Sequence, residues 1–364
     1  MAVSSALILL YALVGSGIAY LLTKAARSLL ATPPHLVVTP RYLFTASILL
    51  LVAFALATWV VGVRLAHWSW ADLGWKPRRG FLREGGRGVM LGVGAAVLAV
   101  LLTLLVAGAT IEFRPAWSEE LQAAGPLALA LLAAALVEEL VFRGFPLWQA
   151  TYSMGGARWP AILLLSGAFG AAHLWNDHAT ALGIVNIMLA GIWLSLAFLS
   201  AGGMALAWGV HFGWNFGLAL LDTPVSGLAL GLPLVAYHAG THPWLDGGTF
   251  GPEGGVMGTV AVALGIAVVW SSRDGARSVP SSPPGPVAVP SSPPGPLSLR
   301  ERGNEIRVSF PLSGTERGTG GEDRVGSGGE DRVGSGGEDR VGTGGEDPVG
   351  SEGEDGLGSG GGDP

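Results

Sequence analysis

Val137-Glu138-Glu139-Leu140-Val141-Phe142-Arg143-Gly144 ends an apolar run, residues 126–137, with the length and composition of the first part of a membrane-spanning helix. Two adjacent carboxylates at that depth are expensive. An ionisable side chain near the centre of a bilayer costs about 2.5–3.5 kcal/mol on insertion scales, so it is retained where it works. Glu139 and Arg143 stand at i and i+4, within reach of an intrahelical ion pair that lowers the cost of both. Glu138, about 100° round the helix from Glu139, lacks that partner. The spacing predicts that Glu139 and Arg143 are architectural, while Glu138 faces a wet cavity and does chemistry.

Outward from this stretch, long Leu/Ala/Val/Gly runs with few charges continue to about Trp270. Residues 1–270 hold 12 Lys+Arg against 11 Asp+Glu, whereas residues 271–364 hold 9 against 16. The net charge of -6 is thus a property of the tail and carries no information about a substrate. Cysteine is absent, which removes disulfides, thiolate catalysis and thiolate metal sites.

Hydropathy predicts an all-α, polytopic transmembrane helical bundle of about eight spans. The spans are residues 4–22, 42–63, 88–109, 126–148, 160–175, 181–199, 203–221 and 254–270. The first lacks a basic n-region and a cleavage site, and is read as a retained helix. Residues 226–239 are apolar over half a span and read as an interfacial or re-entrant helix. Between the second and third spans, a loop over residues 64–87 carries Lys76, Arg78, Arg79, Arg83 and Arg87 beside Trp68, Trp70 and Trp75. In that place a basic cluster reads as a cytoplasmic retention signal rather than a nucleic-acid patch; with eight spans it puts both termini in the cytoplasm, whereas a crossing by residues 226–239 would move the C-terminus outside.

Three segments follow: N-terminal transmembrane helices over 1–65, a core over 66–270 and a disordered tail over 271–364. The tail repeats Val279-Pro-Ser-Ser-Pro-Pro-Gly-Pro from Val289, then a Gly-Gly-Glu-Asp-Arg-Val-Gly-Ser-Gly unit from Gly320. Such composition buries too little apolar surface to offset the entropy of ordering. The nonapeptide approximates a calcium-binding β-helix repeat, but it is present in about three copies, which disfavours calcium binding.

Two further histidines lie in spans. His173 ends Phe169-Gly170-Ala171-Ala172-His173, and His211 opens His211-Phe212-Gly213-Trp214-Asn215, both at helix-interior positions by the span boundaries. Singly, a membrane His or Asn is interhelical hydrogen-bond glue worth about 1 kcal/mol. Together with Glu138, these residues supply a general base, a proton carrier and oxyanion donors for hydrolysis. A second mechanism uses Glu138, His173 and His211 as a two-histidine, one-carboxylate site for a divalent metal such as zinc. The residues leave both open. A transporter would also keep carboxylates and histidines in its spans, although no internal repeat relates the two halves.

In this order and membrane context, Glu138-Glu139-x-x-x-Arg143, Phe169-x-x-x-His173 and His211-x-x-x-Asn215 resemble the three motifs of the CPBP family of intramembrane endopeptidases. That family includes the type II CAAX prenyl proteases and Abi-like proteins of bacteriocin processing or immunity. The resemblance spans about residues 70–270, and Asp72-Leu73-Gly74-Trp75 resembles the interfacial segment before the family's core. It implies Glu138 as water-activating base with His173, and His211 with Asn215 as oxyanion stabilisers. Glu139, Arg143 and Phe169 take supporting roles. It also implies lipid and peptide or protein partners, no nucleic acid, and a place in a membrane, here read as a bacterial plasma membrane. A catalytically silent immunity scaffold is the remaining alternative. Outside the motifs, His67, His178, His238, His242 and Asp177 read as solvated or structural, Asn186 as glue, and Trp175, Trp193, Trp208 and Trp214 as lipid-facing or packing residues.

Overall fold

The computed structural model describes residues 2–30, 40–75, 78–113, 117–230 and 235–272. The tail and its repeats lie outside the described residues, as do Lys76 and Arg114. Long apolar helices dominate: α1 (Ala2–Leu30), α2 (Pro40–Ala57), α3 (Arg78–Val106), α4 (Trp117–Phe142), α5 (Phe145–Ser153), α6 (Arg158–Ala172), α7 (Ala181–Leu199) and α8 (Gly203–Leu220). A one-turn α9 (Pro243–Asp246) precedes α10 (Val256–Ser271). α2 runs on into a π-helical segment, Thr58–Leu65.

Among the described residues, five helical stretches are long and apolar enough to cross a membrane: Ser5–Ala26, Tyr42–Leu65, Gly80–Val106, Ala124–Ser153 and Ala181–Leu199. The predicted count of eight also includes α6, α8 and α10. α6 and α10 are 15 and 16 residues long, below the ~17–25 of a full span. α8 carries His211 and Asn215 among its apolar residues, which lowers its hydropathy.

Three local readings are corrected. α3 starts at Arg78, ten residues ahead of the predicted span. In its first turns Glu84 pairs with Arg83 at 3.0 Å and with Arg87, one turn on, at 3.7 Å, exposed pairs that add little stability. Part of the predicted basic loop is therefore helix. The predicted fourth span breaks at Gly144, and α5 sets off separately with Pro146 in its first turn. Third, the segment read as an interfacial helix contains a strand. β2 (Val235–His238) pairs antiparallel with β1 (Thr110–Phe113) in the α3–α4 connection, with Thr110 opposite His238 and Phe113 opposite Val235. A partner more than 120 residues away gives no local signal, and the short apolar run reads equally as helix or strand.

The closest helix pair is α3 with α8, and glycine makes it. Gly88 and Gly92 on α3 meet the backbone of Leu206 and Val210, while Gly209 and Gly213 on α8 meet that of Gly85 and Val89. Small residues four apart let helix backbones touch, and such close packing is one of the forces that associate helices in lipid. A methyl carbon at Gly92 would lie 2.2 Å from the carbonyl oxygen of Val210. Gly92→Ala is therefore expected to destabilise the fold by about 1–3 kcal/mol. Gly94→Ala, whose Cβ meets nothing within 4 Å, serves as the control and costs nothing. Reversible unfolding in mixed micelles measures both, and equal stabilities would refute this account of the pair.

Candidate active site

The glycine face of α8 determines where its polar residues point. At about 100° per residue, His211 and Asn215 lie opposite Gly209, Gly213 and Gly217. With the glycines against α3, the histidine and asparagine project into a cavity of about 290 Å³. Glu138, His173, His211 and Asn215 all line it, with Phe142, Phe169, Trp193 and Trp214 among its apolar walls. Trp193 and Trp214, expected to pack or face lipid, pack edge-on at 6.1 Å between ring centres and help form the cavity wall.

Glu138 and Glu139 part as their helical spacing requires. Glu139 is wholly buried, with Oε1 3.1 Å from Arg143 Nη1 and 2.8 Å from His211 Nδ1. Arg143, also buried, reaches the Gly191 carbonyl of α7 with Nη2 and lies over the Phe169 ring at 4.3 Å. Phe169 in turn sits edge-on to both His173 and His211. The ion pair, the aromatic ring and both imidazoles thus form one packed unit. Glu138 is one-third exposed to the cavity, with Oε2 3.5 Å from His211 Nε2 and 3.9 Å from His173 Nε2.

His173 does not lie inside its helix. It is the residue that caps α6 after Ala172, because the helix ends several residues before the predicted boundary. Its Nδ1 meets the Phe169 carbonyl at 2.7 Å. A carbonyl only accepts, so Nδ1 carries the proton and Nε2 turns its lone pair toward Glu138. The same reasoning applied to His211 puts its Nδ1–H on Glu139.

The predicted metal triad, Glu138, His173 and His211, brings its donors face to face without closing. Among the described residues, no group of three or more His, Cys, Asp or Glu side chains is placed to hold a metal ion. As arranged, the donor set does not fit a metal ion.

Glu253 is a cavity residue that the motif reading missed. It lies between α9 and α10 and is buried. Its Oε1 accepts from the Trp214 indole at 2.9 Å, and its Oε2 from the Ser226 backbone N–H and hydroxyl. Asn176, three residues after His173, donates to the Ser226 carbonyl at 2.9 Å. The α8–β2 connection is thereby tied both to the His173 turn and to the helix bearing Asn215. Ser226 and Gly227 both have positive φ, a tight turn strained at a non-glycine residue. A lone acidic residue in a Gly-rich loop offered no spacing signal. Glu253→Gln would turn a donor toward the Ser226 donors, and is expected to cost about 1.5–3 kcal/mol. Thermal unfolding in detergent measures it, and an unchanged midpoint would refute the clamp.

The other residues fall outside the cavity. His67, His178, His238, His242 and Asp177 do not line it. Asn186, read as glue, donates to the carbonyls of Glu253 and Gly255 and accepts from Thr259, joining α7 to α10. Trp208 donates to the Leu132 carbonyl of α4.

Residues 120–217 match the family model described as type II CAAX prenyl endopeptidase Rce1-like. This segment belongs to the CPBP family. It runs from α4 into α8 and contains all seven motif residues, from Glu138 to Asn215. α1, α2, α3, Glu253 and α10 lie outside the matched segment. No curated protein and no solved structure matches the chain. The CPBP match and the five long apolar helices point to a membrane protein, and the family implies a CAAX-type protease.

Proposed function

We propose that this protein is an intramembrane endopeptidase in which Glu138 activates water to hydrolyse a peptide bond. The observation that carries the reading is a carboxylate, Glu138, facing the Nε2 atoms of two imidazoles in a cavity that Asn215 also lines. Water bound between Glu138 and His173 gives one proton to the carboxylate as its oxygen attacks the substrate carbonyl carbon. The lone pair of His173 Nε2 accepts a hydrogen bond from the second hydrogen, which stays on the attacking oxygen, and so orients the attack. Charge then develops on the carbonyl oxygen, where Asn215 and His211 donate. His211 donates from Nε2 in its doubly protonated form, because Nδ1–H is already held by Glu139. As the C–N bond breaks, the proton on Glu138 passes to the leaving amine.

Apolar cavity walls suit membrane-associated substrates, including leader peptides and lipidated segments, and a bacterial plasma membrane is the proposed location. The test is incubation with a peptide library in detergent micelles prepared in ¹⁸O water. Mass spectrometry is expected to find one ¹⁸O in each new C-terminal carboxylate. Substrate uptake into proteoliposomes with no cleavage would overturn the reading in favour of a carrier. Binding without turnover would favour a silent scaffold.

A further inference from the structure

We propose that Tyr11, on the N-terminal helix and outside the family-matched segment, is a positioning residue that sets the end of the helix carrying Glu138. At the break after α4, the N–H groups of Arg143 and Gly144 both point to the Glu139 carbonyl, at 2.9 and 3.2 Å. In an unbroken α-helix Gly144 would donate to Leu140. The wider turn leaves the Leu140 carbonyl without its helical partner, buried one residue beyond the paired carboxylates. An orphaned buried carbonyl costs free energy unless another donor reaches it. The Tyr11 hydroxyl does so, at 2.9 Å from the Leu140 oxygen and across 129 residues of sequence.

Thr58 Oγ1 lies farther off, 3.3 Å from the Tyr11 oxygen, and donates its own proton to the Phe54 carbonyl at 2.7 Å. The Leu140 carbonyl only accepts, so its contact with the Tyr11 oxygen at 2.9 Å is made by the tyrosine proton. The ring is fully buried and packs against Phe54 and against Phe145, the first residue of α5. Gly62 approaches Phe145 from the π-helical segment, where a Cβ would come within 3.2 Å of the ring. α1 and α2 thus grip both sides of the break. A shift of this turn would carry Glu138 and Glu139 with it, and displacement by about 1 Å at a reacting centre costs on the order of 10²-fold in rate.

The kinetic part rests on the protease reading, so two measurements are made on the full-length protein in micelles. Tyr11→Phe deletes the hydroxyl alone. Tyr237→Phe, which removes a different hydroxyl, partly buried and bonded to Thr103, controls for a general loss of stability. In Tyr11→Phe, amide exchange over residues 141–145 is expected to rise about tenfold. The kcat for peptide cleavage is expected to fall about tenfold with KM unchanged. Tyr237→Phe is expected to leave both as in wild type. Unchanged exchange at 141–145, or a wild-type kcat, overturns the proposal. If wild type cleaves no peptide, or Glu138→Gln cleaves as well, the protease reading fails and the exchange result alone decides the role of Tyr11.

Discussion

Glu138→Gln is expected to lower kcat for peptide cleavage by about 10²–10⁴-fold, the usual contribution of a positioned general base. The amide matches the carboxylate in size and cannot take a proton from water. Glu138 is one-third exposed to the cavity, and its Oε2 faces His211 and His173 at 3.5 and 3.9 Å without the close hydrogen bonds that hold Glu139. The exchange therefore breaks no hydrogen bond of the fold, and unfolding is expected to stay within about 0.5 kcal/mol of wild type. KM should change little, because the lost interaction belongs to the transition state. Steady-state kinetics on a fluorogenic peptide, with unfolding on the same samples, separates the two effects. A variant that cleaves at the wild-type rate would remove Glu138 from the mechanism, whatever the fate of the other residues.

The largest expected loss of stability comes from Arg143. Arg143→Leu leaves Glu139 ionised and fully buried, with only His211 beside it. Breaking a buried pair in this way costs about 3–5 kcal/mol, chiefly for the charge left behind. Arg143→Lys is no conservative remedy. It keeps the charge but loses the stacking on Phe169 and the fork that joins Glu139 to the Gly191 carbonyl. Adding Glu139→Gln to Arg143→Leu is expected to recover much of the loss, because no uncompensated charge remains and the Gln carbonyl still accepts from His211. Unfolding of the two single variants and the double variant in mixed micelles measures the coupling. Additive losses would mean that the pair contributes through packing rather than charge.

The two predictions assign opposite roles to adjacent glutamates, and that division is readable from helical spacing. Glu139 pairs with Arg143 because i and i+4 share a face, and Glu138 takes the neighbouring face. The long apolar runs likewise specify most of the helices, since a span must satisfy its own backbone and does so locally. α7 falls on residues 181–199 as hydropathy predicts. Local signals fail where a helix stops early or the chain meets a distant partner. The end of α6 at Ala172, the break at Gly144 and the pairing of β1 with β2 are such cases.

The identities Glu138, His173, His211 and Asn215, their order and their confinement to apolar segments are all written in the chain, because a costly polar group in lipid is legible without a fold. Their convergence on one cavity is not. It depends on Gly88 and Gly92 meeting Gly209 and Gly213 across α3 and α8, which turns the opposite face of α8 toward α4. It depends also on Tyr11 and Glu253, lone residues with no motif, whose partners lie 129 and 39 residues away. Hydrogen bonds and backbone contacts of that range exist only once the helices have packed, so their meaning appears in three dimensions alone.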